Sequence, residues 1–407
     1  AIVDQEKAND YLAEEGLVDS QRAQDLDLES KTGQALINSK KGPGCAKGKF
    51  VHVFFNNKHT QSIVDLLESE AIAEIFEQEV WICRARSMAG YDVDISGLSN
   101  TCYFDHNFEL EKIKARCLSS DVDAVFLHGL FFDWQKYLVR EVGMEKKVVW
   151  VMWGGDLYNP ISSGKPIFEE ARKLYGVATW WDGDYHLFEE VYGALPRISF
   201  RYPVSGLYNL INPPKKKEKS LFVGNSGDPS NNHIEILELL SKKKDVKDYN
   251  IVLPFGYNAS NQYFLQVKKK VAALGLSRNV EFIEKLLDTE VYLNWLATAE
   301  FTIMAHHRQQ GGANIFASIY SGNNVIIREK IKGADGKIRI NPIWQEVSQH
   351  IGANLLDLEV FRTFDTLKDI GGVDTSNIEE LRNRLQHLHG EERSVRDILA
   401  GFEEISV

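Results

Sequence analysis

The chain has 407 residues, of which 43% are hydrophobic and 26% are charged. Its 47 basic and 58 acidic side chains give a net charge of −11, which argues against nucleic acid as a general partner. Because a chain of this length exceeds one ordinary hydrophobic core, we expect two domains with a cleft between them.

The cysteines indicate a reducing compartment. There are four, Cys45, Cys83, Cys102 and Cys117, with no CxxC pair and no metal-ligand spacing. That number is low for a disulfide scaffold, which favours the cytoplasm. No segment approaches the ~20 apolar residues of a membrane span, and the polar start AIVDQEKAND does not resemble a signal peptide. We expect a cytoplasmic protein, with peripheral contact with the inner membrane as an open possibility.

Three lysine clusters interrupt the acidic background, at residues 215–217, 242–244 and 268–270. Each is typical of a solvated loop or helix face. The alternative is contact with an anionic membrane surface.

Residues 1–48 differ in composition from the rest of the chain. They are acidic, rich in Ala, Glu, Gln and Asp, and end in the basic stretch KKGPGCAKGK. This pattern predicts an N-terminal helical extension of one or two amphipathic helices, followed by a linker.

Residues 49–205 alternate apolar runs with helical patterns. The runs FVHVFFN, DAVFLHG and VVWVMWGG precede helices predicted near residues 62–77, 133–142 and 166–175, and shorter strands are predicted at VATWW and RISF. Continuous apolar runs indicate strands buried on both faces, and so a parallel sheet covered by helices. We predict a first doubly wound, Rossmann-like domain here.

A proline- and lysine-rich stretch, residues 206–219, reads as an interdomain linker. The alternation then restarts and predicts a second Rossmann-like domain over residues 220–372, with C-terminal helices over residues 373–407. The predicted fold class is α/β, with two doubly wound domains facing a cleft.

A glycine-rich loop follows the first strand of the second domain, in LFVGNSGDPSNNHI. The loop comprises Gly224, Asn225, Ser226, Gly227 and Asp228. Free backbone N–H groups and a helix N-terminus at such a junction suit a phosphate. The alternative is a tight strand-to-helix turn capped by Asp228 or Ser230.

A second candidate loop lies between a buried strand and a helix predicted to begin near Ala313. It comprises Arg308, Gln309, Gln310, Gly311 and Gly312. Arginine pairs with phosphate oxygens, glutamine amides donate hydrogen bonds, and the helix dipole adds to both.

Further candidates follow neighbouring strands of the same domain. They are Gly256, Tyr257, Glu284, Lys285, Leu286 and Glu329. Residues 284–286 could bind a pyrimidine ring through main-chain groups, and Arg328 with Glu329 could reach a sugar hydroxyl. The alternatives are an ordinary turn with a solvated Glu–Lys pair, and a surface ion pair. Because loops at the carboxyl ends of parallel strands build ligand sites, we predict a site for a nucleotide or another phosphorylated molecule.

In the first domain, His128 and Asp156 each follow a predicted strand and suit general-base chemistry. The alternatives are a core histidine bonded to a backbone carbonyl and a helix or turn cap. Trp153 and Tyr158 flank Asp156 and could stack on a sugar or contact a lipid, with core packing as the rival. Asp182 and Asp184 are interpreted as turn and cap residues. We expect no obligatory metal and no cofactor.

In combination, these motifs resemble a known family. Seven motifs occur in order over residues 121–345: HGLF, VMWGGDLY, GNSGDPSNNHI, VLPFGY, EKL with a following YL, RQQGG and NPIWQ. This set resembles the bacterial transferases of 4-acetamido-4,6-dideoxygalactose (Fuc4NAc) that build enterobacterial common antigen. That family is similar to two-domain GT-B glycosyltransferases, which use a thymidine-diphosphate (dTDP) sugar donor and a polyprenyl-diphosphate-linked saccharide acceptor.

The resemblance implies roles for the candidate residues. Residues 224–228, 284–286 and 308–311 would bind the donor, with Arg308 stabilising the departing diphosphate. His128 and Asp156 would face the acceptor.

The chain also departs from the family pattern. Residues 1–48 have no counterpart, the segment Lys330 to Arg339 looks inserted, and His306 and His307 replace apolar or aromatic positions. The inserted segment adjoins the predicted donor pocket, so the donor sugar stays open. The rival hypotheses are a nucleotide-sugar epimerase or hydrolase of the same fold and a non-catalytic nucleotide-sugar-binding module.

Overall fold

A computed structural model of the chain describes residues 48–406, except residues 58, 85–92, 97, 99, 203–205, 215, 334 and 373–375. The predicted N-terminal extension therefore lies outside the described residues, apart from Gly48.

The first half is built on a six-stranded sheet in which every neighbouring pair of strands is parallel. Its strands are β1 Lys49–Phe55, β2 Glu77–Cys83, β3 Thr101–Phe104, β4 Ala124–His128, β5 Lys147–Val151 and β6 Gly176–Ala178. The helices of this half are α1 Thr60–Leu67, α2 Glu70–Ala73, α3 Leu110–Cys117, α4 Asp133–Val142, α5 Gly155–Ser162, α6 Phe168–Ala171 and α7 Asp182–Tyr192.

The second half repeats this plan after a short helix, α8 Gly206–Asn209. Its strands are β7 Glu218–Val223, β8 Asn250–Pro254, β9 Val280–Ile283, β10 Ala299–Met304, β11 Asn324–Ile327, the hairpin strands β12 Lys330–Lys332 and β13 Ile338–Ile340, and β14 Leu355–Asp357. Its helices are α9 His233–Leu240, α10 Asn261–Ala273, α11 Thr289–Thr298, α12 Gly312–Ser321, α13 Pro342–Glu346 and α14 Leu358–Thr363.

Both sheets have the same strand order. The first runs β3-β2-β1-β4-β5-β6 and the second runs β14-β11-β10-β7-β8-β9, so each reads 3-2-1-4-5-6 in its own chain order. In such sheets ligands bind beyond the carboxyl ends of the strands, where the winding reverses. These points lie between β1 and β4 and between β7 and β10, within one compact unit that begins at Gly48.

The predicted fold class, two parallel doubly wound α/β sheets, is confirmed. The continuous apolar runs are strands buried on both faces; all five residues of β4, for example, are buried. The helix predicted near residues 133–142 is α4. The domain boundaries at residues 205, 219 and 372 stay predictions.

Some element predictions were wrong. The helix predicted near residues 62–77 is two short helices, and β2 begins at Glu77 with three polar residues ahead of the apolar run VWIC. The RISF segment contributes a single bridge, from Arg197 to Val177, rather than a strand. The first helix stops because Ser69 is extended, and the RISF segment runs beside β6, the edge strand of the sheet.

Two lysines of the clusters are not solvated. Lys217 Nζ donates to Ala297 O at 2.5 Å, Ser321 O at 2.7 Å and Asn323 Oδ1 at 2.6 Å. Lys243 is 4% exposed and donates to Phe361 O at 2.7 Å and Phe364 O at 2.5 Å. Both ammonium groups satisfy carbonyls at helix ends that would otherwise lack partners.

Two predicted C-terminal helices are present, α15 Ile378–His389 and α16 Glu391–Ser406. Arg382 on α15 donates to Tyr320 O of α12, in the second half. Phe402 on α16 returns to the first half, where it is fully buried and stacks on Phe50 with ring centroids 4.3 Å apart. The end of the chain therefore joins both halves. Within the described part of the chain, no helix is both long and apolar enough to cross a membrane.

Candidate active site

The glycine-rich loop begins where β7 ends, at the winding reversal of the second sheet. Gly224 N donates to Ile303 O of β10 at 2.9 Å, and the residue has φ of 75°. A Cβ at this position would lie 2.7 Å from Asn231 Oδ1. Both the left-handed backbone and the lack of space require glycine here.

Asn231 holds this loop together. Its side chain is fully buried, and Oδ1 accepts from Asn225 N at 2.7 Å and from His306 Nε2 at 3.0 Å. Its Nδ2 donates to Ser226 Oγ and to Asp228 O, each at 3.0 Å. All four hydrogen-bonding positions of one amide are therefore used to fix the predicted phosphate loop.

His306 is part of this support and does not face solvent. It is 2% exposed, and burial lowers its pKa to about 3, so the ring is neutral at pH 7. Because Asn231 Oδ1 accepts, His306 Nε2 carries the proton. The histidine that departs from the family pattern thus anchors the loop after β10 to the loop after β7.

The loop after β8 closes onto the same site. Gly227 N donates to Tyr257 O at 3.0 Å, and Asn225 Nδ2 donates to Tyr257 Oη at 3.2 Å. A Cβ on Gly256 would lie 2.4 Å from Lys285 O, so the backbone after β9 touches this loop. The structure therefore brings residues 224–228, 256–257 and the main chain at Lys285 together.

The loop after β10 completes the group. Ser230 Oγ donates to Gln310 Oε1 at 3.0 Å, and Gln310 Nε2 donates to Asn225 Oδ1 at 3.4 Å. Gly311 has φ of 75° and precedes α12, whose N-terminus opens on the same edge. The residues predicted to bind phosphate from the two loops are therefore neighbours.

Arg308 has an unusual environment. Its guanidinium is largely enclosed and donates to Gln309 O at 3.2 Å. Within the part of the chain that the structure describes, no carboxylate forms an ion pair with it. Burial lowers its pKa, and the charges of Asp228, Tyr158 and Asp184 act in the opposite direction. A largely enclosed cation without an ion-pair partner favours an anion from solution.

Other predicted donor residues lie further out. The Glu284 carboxylate pairs with Lys268 Nζ at 3.0 Å on the surface, and Leu286 is 53% exposed. Glu329 follows β11, where its N–H donates to Asp357 Oδ1 at 2.9 Å. Arg328 is 8% exposed and forms an ion pair with Glu235 of α9 at 2.5 Å, so this is a buried ion pair rather than the surface ion pair of the alternative.

Asp156 joins two loops of the first sheet. Oδ2 accepts from Leu130 N at 3.0 Å and Trp150 Nε1 at 2.6 Å, and Oδ1 accepts from Trp153 N at 2.9 Å. The side chain is 1% exposed, and burial raises its pKa to about 6. A carboxylate with this pKa can exchange a proton near neutral pH.

His128 lies in a buried polar chain that crosses the sheet. His52 Nε2 lies 2.7 Å from Gln78 Oε1, His52 Nδ1 lies 2.9 Å from His128 Nε2, and Tyr202 Oη lies 3.5 Å from His128 Nδ1. Since Gln78 Oε1 only accepts, His128 carries its proton on Nε2 and presents Nδ1 to Tyr202. Burial holds the pKa of His128 well below its ordinary value. Its predicted role as a base stays a prediction.

The two halves meet beside these residues. A Cβ on Gly154, which has φ of 85°, would lie 2.6 Å from Gln309 Oε1. Tyr158 Oη donates to Asp184 Oδ1 at 2.7 Å, and burial raises the pKa of Asp184 to about 7. The glycine-rich turn before Asp156 thus touches the loop that carries Arg308.

Sequence patterns did not reveal several supporting residues. Asn231 lies within the GNSGDPSNNHI motif but was given no role, and His306 was noted only as a departure from the family pattern. Tyr202 and His52 were not singled out, and Asp184 was interpreted only as a turn or cap residue. The adjacent pair Asn231–Asn232 after the glycine loop was an available signal, because two amides in a turn often bond to main chain.

Comparison with known proteins agrees with this geometry. The family model described as 4-alpha-L-fucosyltransferase, glycosyl transferase group 56, matches residues 48–356. The match begins where the predicted N-terminal extension ends.

Solved structures share the fold at low sequence identity. A glycosyltransferase from Rickettsia africae ESF-5 is 12% identical, with a TM-score of 0.62, covering 89% of this chain and 99% of its own. A UDP-forming trehalose-phosphate synthase from Burkholderia xenovorans is 9% identical, with a TM-score of 0.59, covering 88% and 100%. Anabaena HepE, in complex with UDP and glucose, is 10% identical, with a TM-score of 0.53, covering 87% and 96%.

These structural neighbours are GT-B glycosyltransferases, and the fold is of that type. Among the three hypotheses drawn from the sequence, the family match selects the transferase over the epimerase or hydrolase and the binding module. The chain belongs to the 4-alpha-L-fucosyltransferase family, glycosyl transferase group 56, and is a GT-B glycosyltransferase.

Proposed function

We propose that this protein transfers a 4-amino- or 4-acetamido-4,6-dideoxyhexose such as Fuc4NAc from a dTDP-sugar to a glycan or polyprenyl-diphosphate-linked saccharide. The observation that carries the proposal is the largely enclosed Arg308, which lacks a carboxylate ion pair among the described residues and lies beside the loop that Asn231 fixes. The motif resemblance supports the choice of sugar, nucleotide and acceptor. Peripheral contact with the inner membrane is part of the same proposal.

In the proposed donor site, the diphosphate binds between two loops. Gly224, Asn225, Ser226, Gly227 and Asp228 form one side. The N–H groups of Gly224, Asn225 and Gly227 are bonded within the protein, so on this side the contacts to the diphosphate come from the Ser226 main chain and from the side chains of the loop. Gln309, Gln310, Gly311 and Gly312 line the other with the N-terminus of α12, whose dipole favours negative charge.

The pyrimidine base of the nucleotide would contact Gly256, Tyr257 and the main chain of residues 284–286. Glu329 would meet the sugar or ribose hydroxyls.

Transfer breaks the bond between the sugar carbon and the diphosphate oxygen, which leaves with the electron pair. Arg308 and the main-chain donors stabilise the charge that develops on this oxygen, a role that a metal performs in other transferases. The acceptor oxygen forms the new bond to the sugar carbon and loses its proton.

If the reaction inverts configuration, His128 or Asp156 takes the acceptor proton, and the raised pKa of Asp156, about 6, suits this task. Both side chains are bonded within the protein, His128 to Tyr202 and His52 and Asp156 to three N–H donors, so the base exchanges one of these partners for the acceptor. Trp153 and Tyr158 contact the acceptor. A retaining reaction needs no such base.

A thermal-shift screen tests the donor assignment. The full chain is melted with dTDP, UDP and GDP, and with their sugars, since a ligand that binds the folded state raises the melting temperature. The proposal predicts the largest rise with dTDP compounds. Stabilisation by UDP or GDP sugars alone would refute the choice of nucleotide, and formation of a glycosylated acceptor, rather than free sugar, identifies the reaction.

A further inference from the structure

A cavity of about 320 Å³ lies between α7 of the first half and the β12–β13 hairpin with α13 of the second. The hairpin contains the segment Lys330 to Arg339, which looks inserted relative to the family pattern. A Cβ on Gly183 would lie 2.7 Å from Pro342 Cγ, so the two walls are in contact at one end of the cavity.

The hairpin is held against the first half by ion pairs. Arg339 pairs with Glu190 on α7 and with Asp335, each at 2.6 Å, and Lys337 also pairs with Glu190. Among the residues that line the cavity, the acidic Glu190 and the basic Arg339 pair with each other, so these two leave no net charge on the lining. The cavity therefore lacks the excess positive charge that a phosphate would require.

The remaining lining combines apolar and hydrogen-bonding groups. Ile331, Ile340 and Pro342 come from the second half and Leu187 comes from α7. Polar groups come from the side chains of Tyr158, His186 and Gln345. Apolar contacts with a few convergent polar groups are typical of a pocket for a small organic ligand, and this volume is at the lower end of the usual ~300–1,000 Å³.

Tyr158 connects the cavity to the predicted site of transfer. Its ring lines the cavity, its hydroxyl is fixed by Asp184 at 2.7 Å, and the positive charge of Arg308 acts on that hydroxyl. A ligand in the cavity would therefore lie next to the residues that face the reacting sugar.

We propose that this cavity binds one neutral pyranose ring. The apolar C–H face of the ring packs on Ile331 and Ile340, and the sugar hydroxyls point toward His186 and Gln345. The inference rests on the transferase function proposed above, which supplies two sources for such a ring, the acceptor saccharide and the sugar of the donor. The inserted hairpin then determines which saccharide the enzyme accepts.

The test is saturation-transfer NMR of the full chain with methyl glucoside, methyl galactoside and methyl N-acetylglucosaminide. At least one should bind, and Ile340→Trp, which fills the cavity, should weaken its binding about tenfold or more. Gln345→Ala should weaken it roughly tenfold or less, as expected for one hydrogen bond. Ile338→Trp is the matched control, because Ile338 lies on the same strand, is 69% exposed and does not line the cavity.

Competition distinguishes the two sources of the ring. If the cavity holds the donor sugar, dTDP-glucose displaces the pyranoside and dTDP alone does not; if it holds the acceptor, neither displaces it. Absence of binding by all three pyranosides, or equal binding by Ile340→Trp and Ile338→Trp, would overturn the proposal. Stabilisation by dTDP, measured separately, would survive that failure and would leave the donor assignment intact.

Discussion

Asn231 offers the sharpest test of how the predicted donor loop is built. Asn231→Ala removes four hydrogen bonds, two accepted by Oδ1 and two donated by Nδ2, from a fully buried position. At roughly 1 kcal/mol for each bond, the loss of folding free energy is about 4 kcal/mol. The Asn225 N–H and His306 Nε2–H would be left buried without an acceptor, so nucleotide binding should weaken as well.

Urea unfolding and calorimetric titration with dTDP measure the two effects. Asn279→Ala is the matched control, because its amide also donates to two main-chain carbonyls of the same half, Lys247 O and Tyr249 O, away from the loop. The control should lose about 2 kcal/mol of stability and keep its affinity. An Asn231→Ala protein with unchanged affinity for dTDP would refute the assignment of this loop to the diphosphate.

Three further outcomes follow from buried groups. Burial lowers the pKa of His306 from 6.5 to about 3, so its contribution to stability is complete above pH 6.5 and falls as the pH drops toward 3. His306→Gln keeps a donor toward Asn231 but has no group that titrates in this range. Between pH 7 and pH 5 its free energy of unfolding, measured in urea, should therefore fall by about 2 kcal/mol less than that of the wild type. An identical fall in both proteins would contradict this. Lys217→Met leaves three oxygens without a donor and should lower the free energy of unfolding by about 2–4 kcal/mol. Lys216→Met, at the exposed neighbouring position, should melt like the wild type. Equal melting temperatures for the two variants would contradict the structural role of Lys217. Phe402→Ala opens a cavity against the first sheet. The free energy of unfolding, measured in urea, should fall by about 3–5 kcal/mol. An unchanged urea midpoint would show that α16 contributes little to the stability of that half.

The sheets could be predicted from the sequence because buried parallel strands appear as continuous apolar runs. DAVFLHG and VVWVMWGG are long enough for that signal, and both are central strands. β2 and β3 were not predicted, since β2 begins with three polar residues and β3 has only four residues. The positions of the glycine loops also followed from the chain alone, because a loop after a parallel strand must lie at the carboxyl edge.

The support of the site could not be predicted, because its partners are far apart in the chain. The hydrogen bond between His306 and Asn231 joins residues 75 positions apart in the sequence, and the one between Leu130 and Asp156 joins residues 26 positions apart. Spacing patterns show local geometry, whereas these contacts depend on how neighbouring strands align. The buried ammonium of Lys217 was hidden for the same reason, since its three acceptors are 80 or more positions away.

The most direct test of the account is the affinity of Arg308→Ala for dTDP, measured by titration calorimetry. Arg278→Ala is the control, because Arg278 is an exposed arginine of the same half. Loss of a charge-assisted hydrogen bond is worth about 1.5–3 kcal/mol, so Arg308→Ala should bind roughly ten- to a hundredfold more weakly, and Arg278→Ala should bind like the wild type. Equal dissociation constants for the two variants would contradict the placement of the donor diphosphate beside Arg308.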